Sequence, residues 1–130
     1  MSQFNFDGWA PKMLSILRIV AGFLFIEHGL QKVFGLLDGK VATAPQMMVG
    51  GYLELVGGAL MILGLFTRPA AFILSGMMAV AYFQMHAKNG FWPVVNKGEL
   101  AVLYCFVFLF FFAAGGGPWS LDAMMGRKRR

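Results

Sequence analysis

Glu27, His28, Glu54, His86 and Glu99 interrupt or border four apolar blocks that fill most of this chain. An ionised side chain at membrane depth is costly, so such residues pair with one another, face water or belong to a proton pathway. Carboxylate and imidazole together can exchange protons near neutral pH, because histidine titrates there and burial raises a carboxylate toward it. Glu54 is the most demanding of the set. It breaks an otherwise uncharged segment some 9 Å along a helix from Met48, at about 1.5 Å per residue, and needs a cation, hydrogen-bond donors or a wet cavity. His28 and Lys32 are four residues apart and share a helical face, whereas Glu27 points roughly 100° away from His28. Glu54 and His28 are therefore the expected proton-exchanging residues, with Lys32, His86, Asn96 and Glu99 completing a ligand pocket.

Each member of this set also has a plainer role. Glu99 follows Asn96 by three residues, the spacing of a capping box in which Asn96 closes a helix start and Glu99 reaches back to it. His86 can sit among headgroups, and Lys32 can extend its ammonium to the membrane surface. His28 and His86 with Glu54 and Glu99 would also make a two-histidine, two-carboxylate metal set, compatible with first-row metals and specific to none. No metal is assigned on that basis. The single thiol, Cys105, lies in an apolar run and offers neither a disulfide partner nor a Cys-x-x-Cys pair.

The elements that must position these residues are membrane helices. Hydrophobic residues make up 58% of the chain and charged residues 13%, against roughly 45–50% and about 25% in soluble domains. So few charges cannot build a water-facing exterior. Four helices are expected in one domain over residues 1–130, at about Met13–Phe34, Met48–Phe66, Pro69–Ala87 and Gly98–Ala114, followed by a basic tail from residue 115. Each is near the ~20 residues that cross a bilayer. The short uncharged stretch Ile19–Ile26, with Ala42-Thr43-Ala44 beyond it, has some character of a signal peptide, but the polar lead-in is long and the apolar region continues past His28.

Thr67-Arg68-Pro69 reads as a tight turn, with Thr67 as a helix cap and Pro69 in the first turn that follows. The third and fourth helices are joined by residues 88–97, which carry two breakers and the aromatic pair Phe91-Trp92, suited to an interface. The result is an all-α antiparallel four-helix bundle with both termini on one side. That side carries Lys12, Arg68, Arg127, Lys128, Arg129 and Arg130, against Lys32, Lys40, Lys88 and Lys97 opposite, so both termini of this multi-pass protein are expected in the cytoplasm. Trp9 and Trp119 would anchor the cytoplasmic face. The net charge of +5 then reflects topology and anionic-lipid contact, and nucleic acid is not an expected partner.

Gly50, Gly57 and Gly64 recur every seven residues with Gly51 and Gly58 alongside, so the second helix should present a flat seam for close packing at the centre of the bundle. Ala71, Ser75 and Ala79 offer a matching surface on the third. At the inner end Asp122 is expected to neutralise Arg18 or Arg68, with Ser120 capping a short interfacial helix. By topology, the polar residues of the proposed pocket gather at the opposite, outer end.

These segments resemble the DoxX-type small membrane proteins, related more distantly to the DoxD subunit of thiosulfate:quinone oxidoreductase. The resemblance is carried by Arg18, His28-Gly29-Leu30-Gln31-Lys32, Glu54-Leu55-Val56-Gly57-Gly58, Gly64-Leu65-Phe66-Thr67-Arg68, Asn96-Lys97-Gly98-Glu99 and Gly117-Pro118-Trp119-Ser120-Leu121-Asp122. One departure stands out: Asn96-Lys97-Gly98-Glu99 where the family more often has Asn-Gly-Gly-Glu. The resemblance implies a four-helix inner-membrane protein associated with redox or oxidative-stress systems. Two functions are then compatible with the residues. One is a redox-associated component, an oxidoreductase partner that binds a quinone or similar small molecule in the outer pocket. The other is a non-enzymatic subunit or assembly factor whose surfaces hold membrane or redox partner proteins, or a second copy of the chain. Quinone is the cofactor the first reading would require, and haem or metal fits less well.

Overall fold

The computed structural model describes residues 6–129, with side chains through Gly126. The helices are α1 (Phe6–Phe34), α2 (Pro45–Leu63), α3 (Thr67–Ala81), α4 (Pro93–Asn96), α5 (Glu99–Ala114) and α6 (Leu121–Arg129). The third span does not stop at Ala81. It runs on through a π-helical stretch, Tyr82–His86, and a 3₁₀ turn, Ala87–Asn89. The described residues form an all-α membrane bundle of four spans, as the hydropathy implies. Arg130, the last residue of the expected basic cluster, lies outside the described residues.

Local chemistry sets most boundaries. Helix α1 begins seven residues before the expected Met13 because the amphipathic lead-in is also helical, with Asp7 in its first turn and the Lys12 ammonium over the Trp9 ring at 4.7 Å. Pro45 opens α2, where its fixed φ suits the first helical position. The same helix stops at Leu63 rather than Phe66. Gly64 takes a left-handed φ of 69°, its N–H bonds to Met61 and that of Leu65 to Leu60, which is a Schellman ending. Gly64 therefore ends the helix, and a Cβ there would meet the Ser120 side chain at 2.4 Å. Helix α5 has only 16 residues, roughly 24 Å at ~1.5 Å per residue, so it is shorter than a ~30 Å hydrocarbon layer and leaves the Gly115–Gly117 bend near the interface.

Packing pairs α1 with α2 and α3 with α5. In the first pair, Gly22 and Gly29 on α1 face Gly58 and Gly51 on α2. A Cβ on Gly58 would lie 3.1 Å from the Gly22 carbonyl oxygen, and one on Gly29 would lie 2.7 Å from the Leu55 nitrogen. The seam on α2 is thus real but serves two neighbours, since Gly57 faces Leu74 of α3. Gly50 does not belong to it: nothing lies within 4 Å of where its Cβ would be. In the second pair Ser75 Oγ donates to the Cys105 carbonyl at 2.8 Å, so the small surface of α3 matches α5 rather than α2. Phe25 of α1 joins the two pairs by edge-on contacts with Tyr104 at 5.3 Å and Phe108 at 5.0 Å. Outside the core, Phe23, Val56, Leu103 and Phe106 are all more than half exposed, an apolar exterior that only lipid solvates well.

Candidate functional site

The α1–α2 seam places the central ion pair. Gly51 leaves room for the Lys32 stem, whose Cβ would lie 2.9 Å from a Cβ at that position. The Lys32 ammonium then reaches Glu54 Oε1 at 2.7 Å, with the Glu54 side chain 3% exposed and that of Lys32 29% exposed. Burial makes the carboxylate dependent on this one cation, while the cation keeps partial exposure at the end of the bundle away from the described chain ends.

A cavity of about 340 Å³ opens beside the pair. Glu54, Lys32, His28 and His86 line it together, with Phe25, Met78, Met85 and Tyr104 as apolar walls. Four of the six pocket residues expected from the sequence are therefore brought together. His86 is held by an Nδ1 contact of 3.2 Å to the Asn96 backbone oxygen. With Nδ1–H donating there, Nε2 is the ring atom left to accept a proton. The π-helical stretch presents His86, and such bulges insert a residue and re-aim side chains where a regular helix would not.

Asn96 and Glu99 lie elsewhere. The Asn96 amide donates to Tyr82 Oη and the Gly90 carbonyl, each at 3.0 Å, and its Oδ1 accepts the Gly98 N–H at 2.8 Å. It is buried as the pin of the turn that precedes α5. The expected capping box does not form, because Lys97 bends into a left-handed φ of 63° and Gly98 becomes the residue before the helix. Glu99 is exposed beside Leu103 and Phe106. With Glu99 outside, the two-histidine, two-carboxylate metal set is not assembled. Among the described residues, no three His, Cys, Asp or Glu side chains gather as a metal site.

Tyr104 is the residue that sequence patterning did not single out. It is buried, lines the cavity and stacks on Phe108 at 5.7 Å, and its hydroxyl bonds to no described residue. Its signal was one phenol within the phenylalanine-rich run of α5, where a polar handle needs a partner or a wet wall.

At the inner end Arg18 and Asp122 make no contact ion pair among the described residues but bond to two helix ends, with the Asp122 charge still favouring the Arg18 guanidinium from a distance. Arg18, 1% exposed, donates Nε to the Met61 carbonyl at 2.7 Å and Nη2 to that of Trp119 at 2.8 Å, and Nη1 bonds to the Gly116 carbonyl. It neutralises the negative end of α2. Asp122 accepts the N–H groups of Phe66 and Thr67, each at 2.9 Å, and so caps α3 from a distance. The Thr67 hydroxyl, expected to be that cap, is buried without a hydrogen bond. Ser120 Oγ does cap α6, accepting from Ala123 at 3.1 Å. Arg68 stays exposed and reaches the Ala113 carbonyl at 3.5 Å. Ser15 Oγ also joins this end, donating to Gly116 at 3.1 Å, so both described ends of the chain meet on the side opposite Glu54.

A family model described as DoxX matches residues 13–87, which carry α1, α2, α3 and the π-helical stretch with His28, Lys32, Glu54 and His86. The chain belongs to the DoxX family. Similar proteins include an uncharacterized protein of Haemophilus influenzae, 44% identical over 95% of this chain and 98% of its own. A second uncharacterized protein of that organism is 32% identical over 86% of this chain and 82% of its own. The uncharacterized membrane protein Rv3486 of Mycobacterium tuberculosis is 27% identical, covering 91% of this chain and 84% of its own. No solved structure matches. The DoxX assignment agrees with the apolar exterior, and the departure at Lys97 now has a physical reading: a left-handed position that glycine fills without strain is occupied by a side chain.

Proposed function

We propose that this DoxX-family membrane protein is a redox-associated component of the inner (plasma) membrane that binds a quinone, or a small molecule of quinone-like chemistry, beside Glu54. The observation that carries this reading is a carboxylate buried at membrane depth, paired at 2.7 Å with one lysine, on the wall of a cavity of about 340 Å³. Such a cavity is within the size range of small-molecule sites and combines apolar walls with a few convergent polar groups. Quinone reduction takes up two protons with two electrons. Lys32 and Glu54 can hold a proton between them, and His28 and His86 line the same wall as further donors or acceptors. Tyr104 offers a hydroxyl toward a carbonyl oxygen. Electrons would come from a partner redox protein.

A second reading, a non-enzymatic subunit or assembly factor, is favoured by one feature: Glu54 already has a cation, so the pair can stand as a structural lock. Titration of a short-tailed quinone into the purified protein separates the two. Binding should raise the unfolding free energy by about 2.7 kcal/mol at a hundredfold excess over Kd, and Glu54→Gln should remove that gain. Unchanged melting at saturating quinone would sink the first reading.

A further inference from the structure

The groove between α2 and α3 has no use in the head-group chemistry above. It offers about 440 Å³, open on its lipid-facing side, and is walled by Met47, Gly50 and Leu53 on α2 and by Ile73, Gly76 and Met77 on the facing span. Lys32, Met47, Met78, Ala81 and Met85 line both this groove and the Glu54 cavity, so the two spaces adjoin across these flexible side chains. Gly50 and Gly76 form open stretches of its wall, with nothing within 4 Å of where a Cβ would sit on either. Neither glycine is therefore explained by helix packing, and each costs about 1 kcal/mol relative to alanine inside a helix. At the outer mouth Gln46 and Gln84 hydrogen-bond across from α2 to the π-helical stretch, which closes the water side and leaves the groove running toward Ile73. From Gln84 to Ile73 the wall extends roughly 16 Å at ~1.5 Å per residue. Unbranched thioether side chains suit the irregular contour of a flexible hydrocarbon.

We infer that this groove holds the hydrocarbon tail of the ligand whose head group lies beside Glu54, so that the protein selects long-tailed, polyprenyl-type quinones over tailless ones. The inference rests on the quinone reading above and adds the tail subsite. Gly50→Leu and Gly76→Leu would each extend into the groove from a Cβ that strikes no neighbour, so the fold should persist while the space for the tail is lost.

The test compares binding of a tailless quinone and a decyl- or polyprenyl-tailed quinone to the wild-type protein, Gly50→Leu and Gly76→Leu, with melting temperature recorded for each. With each affinity referred to ligand dissolved in the detergent or lipid phase, wild type should prefer the tailed ligand by about tenfold, a margin that packing in the groove must supply because transfer between two hydrocarbon phases adds none. Either leucine variant, melting at or above wild type, should lose most of that preference. If a leucine variant instead fails to fold, Gly50→Ala and Gly76→Ala carry the same comparison with a smaller expected loss. Equal wild-type affinity for both ligands, or a preference that survives in folded variants, overturns the tail subsite and leaves the quinone reading standing. Binding of neither ligand overturns both. Displacement of the tailed quinone by a phospholipid as effectively as by itself would assign the groove to acyl chains and likewise overturn the inference.

Discussion

Replacing Arg18 by methionine probes the inner end of the bundle most sharply. The side chain is 1% exposed, and its guanidinium bonds to the carbonyls of Met61, Gly116 and Trp119, with a longer contact of 3.4 Å to Ile62. Met61 and Ile62 lie in the last turn of α2; the Met61 carbonyl also accepts the Gly64 N–H at 3.3 Å and the Gly116 carbonyl also accepts from Ser15 Oγ at 3.1 Å, so the Ile62 and Trp119 carbonyls depend most on the guanidinium. Methionine keeps much of the length but none of the donors. A hydrogen bond to a charged group contributes about 1.5–3 kcal/mol, and each buried carbonyl left unpaired costs about 1–3 kcal/mol. One guanidinium serves all four acceptors, so these values do not add, and about 3–5 kcal/mol is the expected total. At roughly 2–8 °C per kcal/mol for chains spanning this size, Arg18→Met should melt about 10 °C or more below wild type in detergent. Arg18→Lys should recover only part of the loss, because one ammonium cannot span carbonyls on two segments. A melting temperature for Arg18→Met within about 2 °C of wild type would refute the reasoning, and the carbonyls would then be satisfied by water.

Gly58→Leu should lower stability by about 1–3 kcal/mol or prevent assembly, because its Cβ meets backbone of α1 at 3.0 Å; denaturation in detergent beside Gly50→Ala, expected at or above wild type, checks this. Lys97→Gly should raise stability by about 0.5–1 kcal/mol in the same assay by relieving the left-handed backbone, and a loss would show that the Lys97 side chain contributes more than its conformation costs. Single cysteines at Lys40 and Lys88 in a Cys105→Ala background should react with impermeant reagents in intact cells, whereas one at Gly126 should not. The opposite pattern would place the Glu54 cavity in the cytoplasmic leaflet.

Hydropathy and turn residues made the spans and the hairpin order legible because both depend on short stretches of chain. The convergence of His28, Lys32, Glu54 and His86 followed from the same topology. Partner choice was harder to read. Arg18 and Asp122 suggested a salt bridge by charge alone, yet each hydrogen-bonds a helix end, Arg18 the Met61 carbonyl of α2 and Asp122 the N–H groups at the start of α3, while the Asp122 charge favours the guanidinium from further away. Heptad spacing grouped Gly50, Gly57 and Gly64 as one surface, but Gly57 faces Leu74, Gly64 ends α2 and Gly50 borders an open groove. The glycines that bring Lys32 to Glu54 include Gly22 and Gly29 on α1, whose role appears only when the two helices are placed together. Asn96 and Glu99 looked like pocket residues by depth. A left-handed backbone at Lys97, which charge and hydropathy do not signal, turned Asn96 into the loop and Glu99 outward.

The central claim is that the buried Glu54 carboxylate belongs to a quinone-binding site. Its most direct test is the quinone content of protein purified from native membranes in mild detergent, measured by extraction and mass spectrometry for wild type and Glu54→Gln at matched yield and melting temperature. Wild type should retain close to one quinone per chain and Glu54→Gln little or none. Equal retention by both, or none by wild type, would make the Glu54–Lys32 pair a structural element of the bundle.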